Sequence, residues 1–169
     1  YELDNVEKAS ATLKKVLKEK PGFVPALKLL ADCHLKTGQK NEAISNYEQI
    51  IELSPDDTAA LNSLGLLLLE TGQTDRATDI YEKALELSPD KKDLHFELGQ
   101  LHLQRNAIDI AESRFKKALD IDPLYTSAII ELARVKITKN DVQGAIDLYL
   151  KAIENDPDNG QLHYELGEA

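Results

Sequence analysis

No methionine and no tryptophan occur among the 169 residues of this chain, and Cys33 is its only cysteine. A lone cysteine excludes an internal disulfide, so the fold must rest on packing, while the compartment stays open. Long apolar runs are also missing. The longest, Leu66–Leu69, is far shorter than a bilayer-spanning helix. The chain opens on YELDNVEK, not on a basic segment followed by an apolar one, so no targeting signal is visible. A soluble chain, with the cytoplasm as the favoured compartment, is the expectation. The absence of methionine even at position 1 further suggests an excerpt of a longer protein, whose flanks or leader lie elsewhere.

Basic residues are in the minority: 20 Lys plus Arg stand against 30 Asp plus Glu, a formal charge of -10. Such a surface repels a phosphate backbone and favours basic partners, which argues against nucleic acid. What the chain does have is 42% hydrophobic residues, enough to build a core and to exclude general disorder.

Those hydrophobic residues recur with a period of 34. Pro21, Pro55, Pro89, Pro123 and Pro157 keep that interval, as do Ala9, Ala43, Ala77, Ala111 and Ala145, and Leu30, Leu64, Leu98, Leu132 and Leu166. The position after each of those leucines is small: Ala31, Gly65, Gly99, Ala133 and Gly167. The heptapeptide LHFELGQ at Leu94–Gln100 returns as LHYELGE at Leu162–Glu168, two periods later. Side-chain size repeating at this spacing marks stacked units, each long enough for two helices and a turn.

Within one unit, Leu61, Leu64, Leu67 and Leu68 follow the three-and-four spacing of a helix with one buried face. Thr58 is its expected cap. Gly72 and Gly38, and Asn106 and Asn140 at the equivalent places, predict left-handed residues at helix ends. A second helix is expected from about Asp75, as its cap, to Leu87, with SPD at Ser88–Asp90 ending it. No stretch reads as strand. The small residues, Gly65 and Gly99 with Ala77 and Ala111, are expected to let paired backbones approach. Tyr47, Tyr81, Phe115 and Tyr149 are expected to fill the wider gap further along.

These residues resemble the tetratricopeptide repeat. The likeness rests on Leu64, Gly65, Ala77, Tyr81, Ala84 and Pro89 in one unit and on Leu98, Gly99, Ala111, Phe115, Ala118 and Pro123 in the next. His34, Leu68, His102 and Lys136 depart from the tyrosine usual in that family, and Asn155 stands where Leu53, Leu87 and Ile121 are apolar. Complete repeats are read at Val24–Asp57, Thr58–Lys91, Lys92–Tyr125 and Thr126–Asn159, with partial repeats at residues 1–23 and 160–169, all in one continuous domain. The partial repeats are a second helix at about Asn5–Glu19 and the beginning of a first helix at Gly160–Ala169. The resemblance implies an all-α, right-handed superhelical solenoid of antiparallel helix pairs, with the first helices lining a concave groove. That fold implies a protein-interaction scaffold, although fold alone assigns no partner.

The repeat frame selects the groove residues. One row runs Lys28, Asn62, Phe96, Ile130 and Tyr164; the next Leu29, Ser63, Glu97, Glu131 and Glu165; the third Asp32, Leu66, Gln100, Arg134 and Glu168. The C-terminal half therefore pairs an apolar row, expected to be exposed, with a row of carboxylates. A partly basic, partly apolar segment of a partner protein, extended or helical, suits that pairing. A structural spacer or self-assembling unit is the alternative.

Two specialisations of the family fail by residue. In the clamp that grips a peptide carboxylate only Lys28 fits, because Asp32, Ser63, Asp93 and Glu97 replace the expected amide and basic residues. The asparagine ladder of members fused to sugar-transferring enzymes is replaced by Leu29, Ser63, Glu97, Glu131 and Glu165.

No catalytic, cofactor or metal site is expected. His95 and His163 share the slot of Leu61, and His34 and His102 that of Leu68, so their spacing follows packing. His95 and His102 lie seven residues apart, about 10 Å along a helix and too far for one ion. Cys33 reads as a small hydrophobe beside Ala31. The sequence contains no phosphate-cradling loop and no nucleophile elbow.

Overall fold

Prolines and left-handed residues divide the chain into helix pairs. In this computed structural model, which describes residues 2–169 and side chains from residue 5 onward, ten helices are present and no strand occurs among the described residues. They are α1 (Glu2–Glu19), α2 (Val24–Lys36), α3 (Lys40–Leu53), α4 (Thr58–Glu70), α5 (Thr74–Leu87), α6 (Lys92–Gln104), α7 (Ile108–Ile121), α8 (Thr126–Thr138), α9 (Val142–Asn155) and α10 (Gly160–Glu168). Two compact units result, Tyr1–Ser88 and Pro89–Ala169. Neighbouring helices pack as antiparallel pairs, the architecture of a tetratricopeptide-like α-solenoid.

The turn inside each pair is set by the residue that can take a positive φ. Gly38 and Gly72 lie at φ 74° and 76°, Asn106 and Asn140 at 57° and 62°. The residue after each bonds back to the preceding helix: Gln39 N to His34 O at 2.8 Å, Gln73 N to Leu68 O at 2.7 Å, Ala107 N to His102 O and Asp141 N to Lys136 O at 2.8 Å. This is the Schellman closure, which satisfies carbonyls the helix end would otherwise leave open. Between pairs, proline follows the C-cap residue, and Asp57, Tyr125 and Asn159 donate their N–H across the turn to Ser54, Asp122 and Asp156.

Two expected caps are displaced by one or two residues. Asp57, not Thr58, caps α4, its carboxylate accepting from Ala60 N at 3.0 Å. At α5 the N-cap is Gln73, which makes no side-chain cap bond, and Asp75 lies in the first turn. A carboxylate in the first turn acts favourably on the helix dipole.

The small-residue rows do more than admit a neighbouring backbone. A Cβ added at Gly65 would lie 2.3 Å from the Tyr81 ring, and one at Gly99 2.5 Å from the Phe115 ring. Tyr81 and Phe115 thus lie directly against the glycines of their own first helices and do not fill a gap further along. Ala43, Ala77, Ala111 and Ala145 are wholly buried, as are Tyr81, Phe115 and Tyr149, whereas Ala9 is exposed.

The slot of His34, Leu68 and Lys136 is filled in three ways. His34 Nδ1 pairs with Asn46 Oδ1 at 2.8 Å, Leu68 is fully buried, and the Lys136 ammonium reaches Asp141 at 2.6 Å. One backbone position accepts three chemistries, with Nδ1 of His34 and the Lys136 ammonium each given a local partner, while Nε2 of His34 has none among the described residues.

Candidate functional site

In the first unit the selected first-helix residues lie on α2 and α4. Lys28 is engaged: its Nζ lies 2.5 Å from Asp57, and this hydrogen bond, more than the N–H of Ala60, holds the Asp57 carboxyl below its usual range. Asp32 and Asn62 are exposed and Ser63 is half-buried. Leu66 and Leu29 are 44% and 55% exposed, so the open apolar surface here comes from the second and third rows, not the first.

In the second unit the first row is not an exposed apolar ladder, and this corrects the expectation. Ile130 is 4% exposed and packs in a core cluster with Tyr149 and Leu162. Phe96 is half-buried, its ring centroid 5.8 Å from Phe115 and 5.4 Å from Tyr125. Only Tyr164, at 65% exposure, presents its ring to solvent. The cause is local: residues of this row reach toward the next first helix or its cap. Lys28 meets Asp57, Phe96 meets Tyr125, and Ile130 meets Leu162 of α10. Tyr125 was missed by sequence reasoning, yet it stands just before α8 as Asp57 stands before α4, and that register was available.

The carboxylate row is equally uneven. Arg134 Nη2 lies 2.7 Å from Glu165 and its Nε 3.3 Å from the other oxygen, while Nη1 lies 3.1 Å from Glu131. The planar guanidinium thereby occupies both acids at once. Glu97 has no such cation among the described residues. Burial first, and the neighbouring Asp93 charge second, push its carboxyl above the usual value. Gln100 is half-buried and Glu168 exposed at the flanks. Tyr125 borders the same acids; burial and then Asp93 push its phenol up to about 12. Lys92 lies beside it, with Nζ 4.7 Å from the Tyr125 ring centroid and 2.5 Å from Asp122.

The twin heptapeptides acquire a second structural reason here. His95 Nε2 lies 3.0 Å from the carbonyl of Pro89, and His163 Nε2 lies 2.7 Å from that of Pro157. A carbonyl can only accept, so in both cases Nε2 carries the proton and the ring closes the interrepeat turn. Leu94, Leu98 and Leu162 are core residues, and Gly99 receives Phe115, but nothing lies within 4 Å of a Cβ placed on Gly167. Cys33 is partly exposed. Among the described residues no group of three or more His, Cys, Asp or Glu could hold a metal ion, and no helix is long and apolar enough to cross a membrane.

Comparison with known proteins gives this arrangement a context. Residues 1–107 match the family model described as Psidin, N-terminal TPR repeats region, and residues 107–169 match the one described as Tetratricopeptide repeat. No curated protein sequence is significantly similar to the chain. Among solved structures, that of MamA aligns with a TM-score of 0.80 at 23% identity, covering 94% of this chain and 92% of that one. YrrB, described as a TPR protein with an unusual peptide-binding site, aligns at 0.79 and 20% identity, covering 99% of this chain and 86% of its own. A thermophilic TPR protein of Thermus thermophilus aligns at 0.64 and 23% identity, covering 99% and 92%. At these identities the likeness is one of fold.

Proposed function

We propose that the first-helix face of the second unit of this chain, which belongs to the tetratricopeptide-repeat family and is a protein–protein interaction scaffold, holds a partner segment carrying a basic residue next to apolar ones. The observation that carries this reading is Glu97. It is a half-buried carboxylate with another acid beside it and no cation among the described residues, whereas Glu131 and Glu165 share Arg134. A partner's lysine or arginine at Glu97 relieves an existing electrostatic cost; at Glu131 or Glu165 it must compete with a bound guanidinium. Apolar contact comes from Tyr164 and the open edge of Phe96 in this unit, with Leu29 and Leu66 offering separate apolar surface in the first. Peptide binding by YrrB, a protein of similar fold, is compatible with this use of the scaffold.

The test is calorimetry with a synthetic peptide that alternates lysine with leucine and phenylalanine. Glu97→Gln should weaken binding several-fold and flatten its salt dependence, Tyr164→Ala should weaken it at all salt concentrations, and Glu131→Gln should change little. Unchanged affinity in both Glu97→Gln and Tyr164→Ala would remove the site from this face.

A further inference from the structure

The second helices of the second unit carry a groove of their own. Between α7 and α9 lies a cavity of about 770 Å³, floored by Leu119, Ile129, Leu148 and Ala152. Three lysines, Lys116, Lys117 and Lys151, stand around it. Carboxylates are present too, but they are engaged from within. Glu112 lies 2.6 Å from both Lys116 and Lys139, and these two hydrogen bonds hold its carboxyl down to about 2. Asp109 also bonds Lys139, at 2.7 Å. Asp120 and Lys117 are 3.7 Å apart and mostly exposed, a pair of little strength. Lys151 forms no ion pair among the described residues. Lys116 is committed to Glu112, so the ammonium groups open to a ligand are those of Lys117, weakly paired, and Lys151.

The repeat provides an internal comparison. The corresponding groove of the first unit, between α3 and α5, measures about 470 Å³ and is lined by Glu48, Glu52 and Asp79 with Arg76, which bonds Glu48. Lys116 and Lys117 hold the repeat positions of Glu48 and Gln49. Lys116 thus stands where the first unit has an acid, whereas Lys117 and Lys151 share a slot that also holds Lys83. The lysines gather over an apolar floor in a chain whose net charge is -10.

We infer that the α7–α9 groove is a second docking surface, whose occupant is an acidic amphipathic helix of a partner protein. Aliphatic side chains at helical i, i+3, i+4 and i+7 spacing would cover Leu119, Leu148 and Ala152, and flanking Asp or Glu would meet Lys117 and Lys151. The charge preference is opposite to that of the first-helix face, so one chain could hold two partner segments at once.

A fluorescein-labelled helical peptide with leucines at that spacing and glutamates between them is the probe, titrated with the whole chain and followed by anisotropy. The same leucine pattern with lysines is the control. The glutamate peptide should bind, and the double variant Lys117→Glu/Lys151→Glu should lower its affinity by about tenfold or more. Both side chains are exposed, so circular dichroism should be unchanged. Glu97→Gln should leave the affinity as it was, which separates this surface from the first-helix face. Failure of the glutamate peptide to bind, equal affinity in the double variant, or displacement by the lysine peptide would each overturn the inference.

Discussion

Replacing Gly99 with alanine adds one methyl group to the interior of α6, a change that in an exposed helix stabilises by about 1 kcal/mol. Here the new Cβ would lie 2.5 Å from Phe115 Cε1, 2.8 Å from Cδ1 and 2.9 Å from Cζ. The ring is rigid and fully buried, and Phe96 stands 5.8 Å away, centroid to centroid, so it has little room to withdraw. Overpacking of this kind costs roughly 1–3 kcal/mol, and three contacts with one ring place it in the upper part of that range. After the propensity gain, a net loss of about 1–2 kcal/mol remains, or roughly 2–8 °C in melting temperature for a chain of this size. Gly167 tests the same slot with the opposite sign. Its added Cβ meets nothing within 4 Å, but it lies one residue from the end of α10, so Gly167→Ala should gain no more than a few tenths of a kcal/mol. Far-UV circular dichroism in guanidinium would compare both variants with the parent and with Gly99→Ala/Phe115→Leu, whose smaller side chain should recover part of the loss. A Gly99→Ala protein at least as stable as the parent would refute the glycine–aromatic contact as the reason for that small slot.

Ala111 is wholly buried, so Ala111→Leu should cost roughly 1–3 kcal/mol in the same denaturant melts. The Glu112 carboxyl is held down to about 2 from an ordinary 4.5 by Lys116 and Lys139. A depressed folded-state value means that its contribution is complete above about pH 4.5 and lost as the pH falls toward 2; Glu112→Gln should therefore flatten the acid limb of a stability–pH profile over that window. Arg134→Gln removes a half-exposed guanidinium from two carboxylates that are only 19% and 12% exposed, so it should lower thermal stability by about 1–3 kcal/mol. It also uncovers Glu131 and Glu165, and calorimetry should show tighter, more salt-sensitive binding of the lysine-bearing peptide.

The period was legible because packing repeats side-chain size, and size is written in the sequence. Gly38, Gly72, Asn106 and Asn140 announced the turns for the same reason, since few residues accept a left-handed backbone. The site was less legible because its character depends on pairs in different repeats. Ile130 has the register of Phe96 and Tyr164, yet Leu162 and Tyr149 surround it, so an apolar residue expected at the surface is core. Glu131 and Glu165 share a slot with Glu97, but only they have Arg134 within reach. Asp57 outcompeted Thr58 as the cap because an acid there also meets Lys28, a contact hidden until α2 and α4 are side by side.

Arg134 changes what a basic partner can gain. If Glu97, Glu131 and Glu165 were equivalent, a run of lysines could follow the repeats with one contact at each. Because Arg134 holds Glu131 and Glu165 together, a lysine arriving there exchanges one cation for another and loses a bidentate geometry in doing so. The exchange brings little net attraction. At Glu97 no cation is displaced, the carboxylate is already half-desolvated, and Asp93 adds a second negative charge. On the proposed reading, charge on this face would fix the position of one basic side chain and would not reward basic length. The register of the remaining segment is then left to apolar contacts beyond it, where Tyr164 offers the larger open surface. A single charge anchor followed by an apolar contact favours one direction, because reversing the segment would place an aliphatic side chain against Glu97 and leave that carboxylate without a cation.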